Sequence, residues 1–538
     1  MIELYDTTLR DGSQGEGVSF TVQDKLRLAR RMDECGIHYI EGGWPGSNPK
    51  DIQFFERARA ELTLRRAKLC AFGSTRRRGL RAADDPLIVQ LAESGAPVVT
   101  IFGKSWKLHV HEVLNVSDDE NLAMIADTVR FLKSRGLEVI YDAEHFFDGF
   151  QDDPTYALAT LNAAAGAGAD RLVLCDTNGG AMPWEIGRIT GVVREQVELP
   201  LGIHTHNDCE LGVATALAGV QAGATQVQGT INGFGERTGN ANLTSIIPIL
   251  KMKMGLDCVT DDELRGLCDL SAFVDELANM PPNEHQPWVG RSAFAHKAGT
   301  HADAVRKNPR TCEHIEPALV GNRRRVLVSE LSGGSTIVWK AEEQGLELDK
   351  KDPATRRILS KVAALEAEGW VFEGAEASFD LLVQKETGAY EKLFDLARFR
   401  TFVSKRGFDD EPITEAVLKL LVQGKEIHVA AEGDGPVHAL DRALRKALLP
   451  IYPELEAVRL TDYKVRVVDA REATGAKVRV LVESSDEHGS WSTVGVSANI
   501  IEASWLALAD AVEYFLLRSR QTMNAGCDPR SVPGSVDQ

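Results

Sequence analysis

The sequence predicts an α/β chain that opens with a (β/α)8 TIM barrel, and three observations predict it. Over residues 1–265 short β-branched runs alternate with segments of helical period, the pattern of βαβ units and a parallel sheet. Eight such runs occur, the number that closes a barrel. Polar residues also sit at the C-terminal ends of the strands: Asp6, Glu41, Asp142, Asp176 and the pair His204/His206. Polar ends on so many strands converge only if the sheet closes, and that rim is where barrel enzymes build their sites.

In order, the strands are IELYD (2–6), HYIEGG (38–43), AKLCAF (67–72), VVTIFG (98–103), LEVIYD (137–142), RLVLCD (171–176), LGIHTH (201–206) and TQVQGTI (225–231). The first helix, near 22–35, starts with Thr21 and Asp24 as a cap. It aligns Val22, Leu26, Ala29 and Met32 on one face and stops at Gly36. GAP, GAD and GAT at 95, 168 and 223 read as helix ends feeding the next strand.

Residues 266–394 change texture to helices near 335–345 and 353–368 with loops between them, a helical linker region without a core of its own. From 395 to 522 a unit of three strands and a helix occurs twice. FRTFVSKR, ITEAVLKLLV and KEIHVAA lead to VHALDRALRKALL; DYKVRVV, KVRVLVES and WSTVGVS lead to IIEASWLALADAVEYFLL. Two βββα units make a pseudo-two-fold α+β domain whose apolar sheet faces pack on helices or on a partner chain. Residues 523–538 read as a disordered tail.

A chain of 538 residues is too long for one core. Its net charge of −18 argues against a nucleic acid or an anionic membrane as the main partner, because both need a basic face. The RRR runs at 76–78 and 323–325 break that trend; each alone reads as a solvated turn, with an anionic ligand left open. The cysteines at 35, 70, 175, 209, 258, 268, 312 and 527 form no CxxC, which fits buried, reduced thiols. No run of about 18 apolar residues occurs and no signal peptide heads the chain, so a cytoplasmic protein is expected.

The strongest local signal is GIHTHND (202–208). Residues i and i+2 of a strand share a face, so His204 and His206 can hold one metal through neutral imidazoles, where a lone His is more often structural. Asp11, in the loop after the first strand, can face them with a carboxylate, since strands one and seven are one neighbour apart in a closed barrel of eight. The bland alternative is a salt bridge between Asp11 and Arg10. NGFGERTGNANL (232–243) fails GxGxxG and so is no dinucleotide loop, but its glycines allow close approach and Asn240 offers an amide oxygen to a metal. Glu144, just beyond strand five among aromatic residues, is a candidate proton acceptor, and His301 is a second.

DTTLRDGSQ (6–14), HTHND, NGFGERTGNANL, AGTHAD (298–303) and GDGPVHALDRAL (433–444) together resemble the 2-isopropylmalate, citramalate and homocitrate synthase family of metal-dependent, acyl-CoA Claisen-condensing enzymes. DTTLRDG alone also resembles hydroxymethylglutaryl-CoA lyases and the carboxyltransferase of pyruvate carboxylase. The resemblance implies a divalent cation (Mg, Mn, Zn or Co) on Asp11, His204, His206 and Asn240. It implies contacts to a 2-oxo acid from Arg10, Gln14 and Thr177, and catalytic roles for Arg10, Glu144 and His301. GVSFTVQDKLRLA, EGGWPGSNPKD and AHKAGTHADAVRKNPRT look most like the branch that takes acetyl-CoA and pyruvate. The alternatives are 2-oxoisovalerate as acceptor, or a catalytically dead amino-acid-binding protein. Cys312 stands where the family often has Tyr, which puts in doubt a phenolic hydroxyl at that position. The C-terminal repeat resembles an allosteric domain that binds leucine or isoleucine at a dimer interface, which implies a homodimer.

Overall fold

A computed structural model describes residues 1–525 apart from 298, 330–331, 344, 406, 408–410 and 469–474. The first eight strands are β1 (Glu3–Asp6), β2 (Tyr39–Gly43), β3 (Lys68–Ser74), β4 (Val98–Lys104), β5 (Glu138–Glu144), β6 (Arg171–Asp176), β7 (Leu201–Thr205) and β8 (Gln226–Gly229). They form a closed parallel barrel in sequence order, with β8 pairing back onto β1 from Glu3↔Gln226 to Asp6↔Gly229. Strand five reaches two residues further than the sequence reading had it, so Glu144 is its last residue and not a loop residue beyond it.

Alternation along the strands decides which side chains enter the barrel. Tyr5, Tyr39, Cys70, Val98, Ile140, Val173 and Cys175 form one buried cluster that fills it. The helix Val22–Glu34 starts at the expected capping box, with Thr21 accepting from Asp24 N and the Asp24 carboxylate accepting from Thr21 N. Its inner face carries a buried Lys25 that donates to Asp51 Oδ1 (2.6 Å) and Gly42 O (2.9 Å) and so ties the turn after β2 to the helical layer.

Two compact units divide the chain: Met1–Phe294 with Ile315–Arg324, and Ala295–His314 with residues from 325 onward. The division therefore runs inside the segment read as 266–394, not at its borders. That segment also has a core: Val328, Ile337, Ala341, Ile358, Val362, Phe372, Phe379 and Val383 are buried together in the second unit. Besides the expected helices, found at Gly334–Glu343 and Pro353–Ala367, a third runs over Glu376–Thr387.

The repeat is present as read. Antiparallel strands Asp395–Ser404, Ile413–Val422 and Lys425–Gly433 precede the helix Pro436–Leu448. Strands Arg459–Val467, Val478–Asp486 and Gly489–Ser497 precede the helix Ile500–Ala525. Leu418, Leu440, Leu444, Val480, Trp491, Leu508 and Leu516 belong to one shared core. The last helix runs into the predicted tail 523–538, whose remainder, like Cys527, lies outside the described residues. Among the described residues no helix is long and apolar enough to cross a membrane.

Candidate active site

The loop after β1 is locked from both sides. Asp6 accepts from Thr8 N (2.9 Å) and Thr8 Oγ1 (2.8 Å), while Thr8 Oγ1 accepts from Ile231 N (2.9 Å) just past β8. This fixes Arg10 and Asp11 over the barrel mouth. Arg10 Nε donates to Glu41 Oε1 at 2.5 Å, and the guanidinium stacks on Phe72 at 3.7 Å, whereas Asp11 is 3.5 Å away. Arg10 is thus paired mainly across to β2. Glu41 is fully buried, and its other oxygen accepts from Tyr5 OH at 2.6 Å.

Asp11, His204 and His206 bring their ligand atoms within 4.8 Å of one another, all buried. His204 Nε2 lies 3.2 Å from His206 Nε2 and 3.5 Å from Asp11 Oδ2. Beside them Asn240 Oδ1 is buried without a hydrogen-bond partner, while its Nδ2 donates to Phe234 O. Asn240 is reached through a tight fold of the Gly-rich loop: at Gly239 (φ +95°) a Cβ would stand 1.9 Å from Gly233 O. Two imidazole nitrogens and a carboxylate within reach of one another are a donor set that fits a divalent cation, with Asn240 next to Asp11.

The electrostatics agree with that use. Burial and the neighbouring His204 push His206 down to about 4, so its imidazole is neutral near pH 7. Burial opposes ionisation of Asp11, but Arg10 and the imidazoles outweigh it and hold the carboxyl below its usual range. Burial, reinforced by Glu41, raises Asp142 well above the carboxylate range.

A cavity of about 230 Å³ joins these groups. Of the sequence-predicted residues, Arg10, Asp11, Gln14, Glu144, Thr177, His204 and His206 line it. Glu144 forms an ion pair with Lys104, and Thr177 Oγ1 accepts from His145 N at 2.9 Å. His301 belongs to the second unit, exposed on the helix Gly299–Lys307. Asp6 and Asp176 do not line the cavity. Each follows an inward-facing residue, Tyr5 or Cys175, and so points to the outer face, where burial pushes it up to about 7 or about 6. Strand-end position alone therefore overcounts the rim.

Further residues wall the cavity, among them Phe102, the strand-end residue that the sequence offers for the space around the methyl group of the oxo acid. Trp44, Phe72 and Phe102 form an aromatic corner with ring centroids 5.5–6.0 Å apart. Arg237 binds Asp208 (2.7 and 3.0 Å) and Thr177 O (2.7 Å). A neighbouring cavity of about 710 Å³ shares Trp44 and Phe102 and is lined by Arg76, Arg77, Arg78 and Lys104.

Comparison with known proteins gives the family. The HMGL-like family matches residues 1–274, the homocitrate synthase post-HMGL domain-like family residues 288–369, and the LeuA allosteric (dimerisation) domain residues 373–516. An (R)-citramalate synthase of Geobacter sulfurreducens is 55% identical over 97% of this chain and 98% of its own. That of Aquifex aeolicus is 52% identical over the same shares. The chain belongs to the HMGL-like family and groups with the (R)-citramalate synthases. A probable 2-isopropylmalate synthase of Methanopyrus kandleri is more distant, at 32% over 96% of this chain and 99% of its own. In this HMGL-like chain the LeuA match reaches across both βββα units.

Proposed function

We propose that the chain condenses acetyl-CoA with pyruvate and hydrolyses the thioester, giving (R)-citramalate and CoA for isoleucine biosynthesis in the cytoplasm. The observation that carries this reading is 45–55% identity to five (R)-citramalate synthases over nearly the whole chain, against 29–32% for two probable 2-isopropylmalate synthases, a range in which one more distant (R)-citramalate synthase also falls at 31%.

Asp11, His204, His206 and Asn240 would hold the divalent cation, which when bound polarises the keto carbonyl as a Lewis acid, an effect of several kcal/mol. Arg10 sets a planar cation beside the same oxygen as it gains charge. Gln14 and the Thr177 hydroxyl bind the 2-oxo acid, and the Trp44–Phe72–Phe102 corner bounds the space for its methyl group. Glu144 removes a proton from the acetyl methyl, the new C–C bond forms at the keto carbon, and the electron pair of the C=O ends on its oxygen, which takes up a proton to become the product hydroxyl. Water then adds to the thioester, and CoA leaves as the thiol. His301 is a second proton carrier on the strength of the resemblance. The cavity beside Arg76–Arg78 offers room for the phosphates of acetyl-CoA. The LeuA allosteric (dimerisation) match supports a homodimer, and an isoleucine or leucine effector at that domain rests on the resemblance of the repeat.

CoA release with pyruvate and with 2-oxoisovalerate tests the reading. Pyruvate should be preferred, a chelator should abolish turnover until a divalent cation is restored, and Asp11→Asn or His204→Ala should be inactive but folded. A preference for 2-oxoisovalerate would make the chain an isopropylmalate synthase.

A further inference from the structure

His204 and His206 are not held in the same way. His206 Nδ1 faces Arg237 Nη2, a donor, at 3.3 Å, a contact that favours the hydrogen on Nε2 and so selects no metal-binding tautomer for His206. His204 Nδ1 faces an acceptor, the Gln228 side-chain oxygen Oε1, at 2.9 Å. Gln228 is fully buried on β8 and is the register partner of His204 on β7. The other end of its amide, Nε2, donates to Asp142 Oδ1 at 3.2 Å, from β5 across the barrel.

These contacts fix an order of donors and acceptors. In this arrangement Asp142 Oδ1 accepts from the NH2 end of Gln228, as a carboxylate oxygen or the carbonyl oxygen of a neutral carboxyl can. The carbonyl end of Gln228 is then turned to His204 Nδ1, which must carry the hydrogen. His204 is left with a lone pair on Nε2, the atom that faces Asp11 and His206. A buried amide is costly unless both ends are bonded. Here both are, and each bond serves the same ring.

We propose that Gln228 is a positioning residue that selects the metal-binding tautomer of His204, with Asp142 holding its amide the right way round. Metal-ligating histidines commonly donate their second N–H to a carboxylate, a backbone carbonyl or water. In this barrel an amide stands between the imidazole and the carboxylate, so the ligand is oriented while the negative charge is kept one side chain away.

The inference rests on the metal-dependent reading above, and one titration separates the two. The full chain, stripped with a chelator, is titrated with Mn2+ in competition with a chromogenic chelator. Gln228→Leu should weaken Mn2+ binding by about 10–100-fold, the usual cost of losing such a partner. Gln228→Glu/Asp142→Asn should bring affinity back to within about threefold of the parent: the introduced carboxylate accepts from His204 Nδ1 and from the introduced amide. A merely structural role would not be rescued by exchanging the two groups. Gln228→Leu binding within about threefold of the parent, or a double variant as weak as Gln228→Leu, overturns the proposal; if Gln228→Leu fails to fold, the double variant decides. A parent that binds no Mn2+, or binds it equally in Asp11→Asn, sinks the metal-dependent reading itself.

Discussion

Replacing Glu41 tests whether a buried carboxylate holds the Arg10 guanidinium in place. Both oxygens of Glu41 are engaged, one by Arg10 at 2.5 Å and one by Tyr5 at 2.6 Å, with no exposed surface. Arg10, whose side chain is 14% exposed, would keep only Asp11 at 3.5 Å and the Phe72 stack. Removing one partner of a buried ion pair costs about 3–5 kcal/mol, because the remaining charge is left uncompensated. With Asp11 still present, Glu41→Ala belongs near the lower end, about 3 kcal/mol. Glu41→Gln keeps the shape and one acceptor and loses the charge; charged hydrogen bonds exceed neutral ones by about 1–1.5 kcal/mol, so a cost near 1 kcal/mol follows. Freed of its partner, Arg10 swings in the cavity, and a displacement of about 1 Å at a reacting centre costs roughly 10²-fold in rate. Urea unfolding and CoA release on both variants read the two effects. Glu41→Ala destabilised by less than about 1 kcal/mol, with unchanged kcat/KM for pyruvate, would refute the reasoning.

Three other substitutions probe different parts of the same barrel. Phe102→Ala opens the aromatic corner and should raise the 2-oxoisovalerate-to-pyruvate ratio of kcat/KM by about 10–200-fold, the range for a methylene-scale change in an apolar pocket; an unchanged ratio would remove Phe102 from substrate choice. Lys25→Met removes the cation beside the Asp51 carboxylate at a nearly closed site and should cost about 3 kcal/mol in urea unfolding; a neutral result would mean that Trp44 N and the Asn48 amide, which donate to Asp51 Oδ2 at 2.9 and 3.0 Å, hold the carboxylate unaided. Burial raises Asp6 from 3.8 to about 7, so the folded chain binds this proton more tightly than the unfolded one. Stability from Asp6 is present below pH 4 and is lost as pH rises to 7, at no more than about 1.4 kcal/mol per pH unit. Asp6→Asn should flatten that part of the profile and leave the chain more stable than the parent at pH 8, measured by melting across pH 4–8.

The barrel is legible in the sequence because every strand is a short apolar run with its own stop, and eight of them leave one closed arrangement. The loops that carry the candidate site are legible because DTTLRDGSQ, HTHND and NGFGERTGNANL are local. The acids are legible only in part, and alternation explains which part. The rule that i and i+2 share a face joins His206 to His204; applied equally to the acids, it sorts the rim. Asp142 and Glu144 follow Ile140 by two and four residues and line the cavity, whereas Asp6 and Asp176 each follow an inward residue by one and leave it. The linker core at 328–383 is not legible because its buried residues are spread over three helices and the segments that flank them, two per helix, with Val328 and Phe372 outside.

Gln228 is a different case. TQVQGTI has the correct parity and still says nothing of a role, because what gives Gln228 its meaning is His204 opposite it in register and Asp142 across the barrel. Neither neighbour is local in sequence, and both follow once the sheet closes. A polar residue at an inward position of a barrel strand, where volume favours Val or Ile, is therefore best read against the strand beside it. If that strand carries a histidine at the matching height, orientation of the imidazole is the first role to test, because a buried amide whose two ends are both engaged has no freedom left for any other.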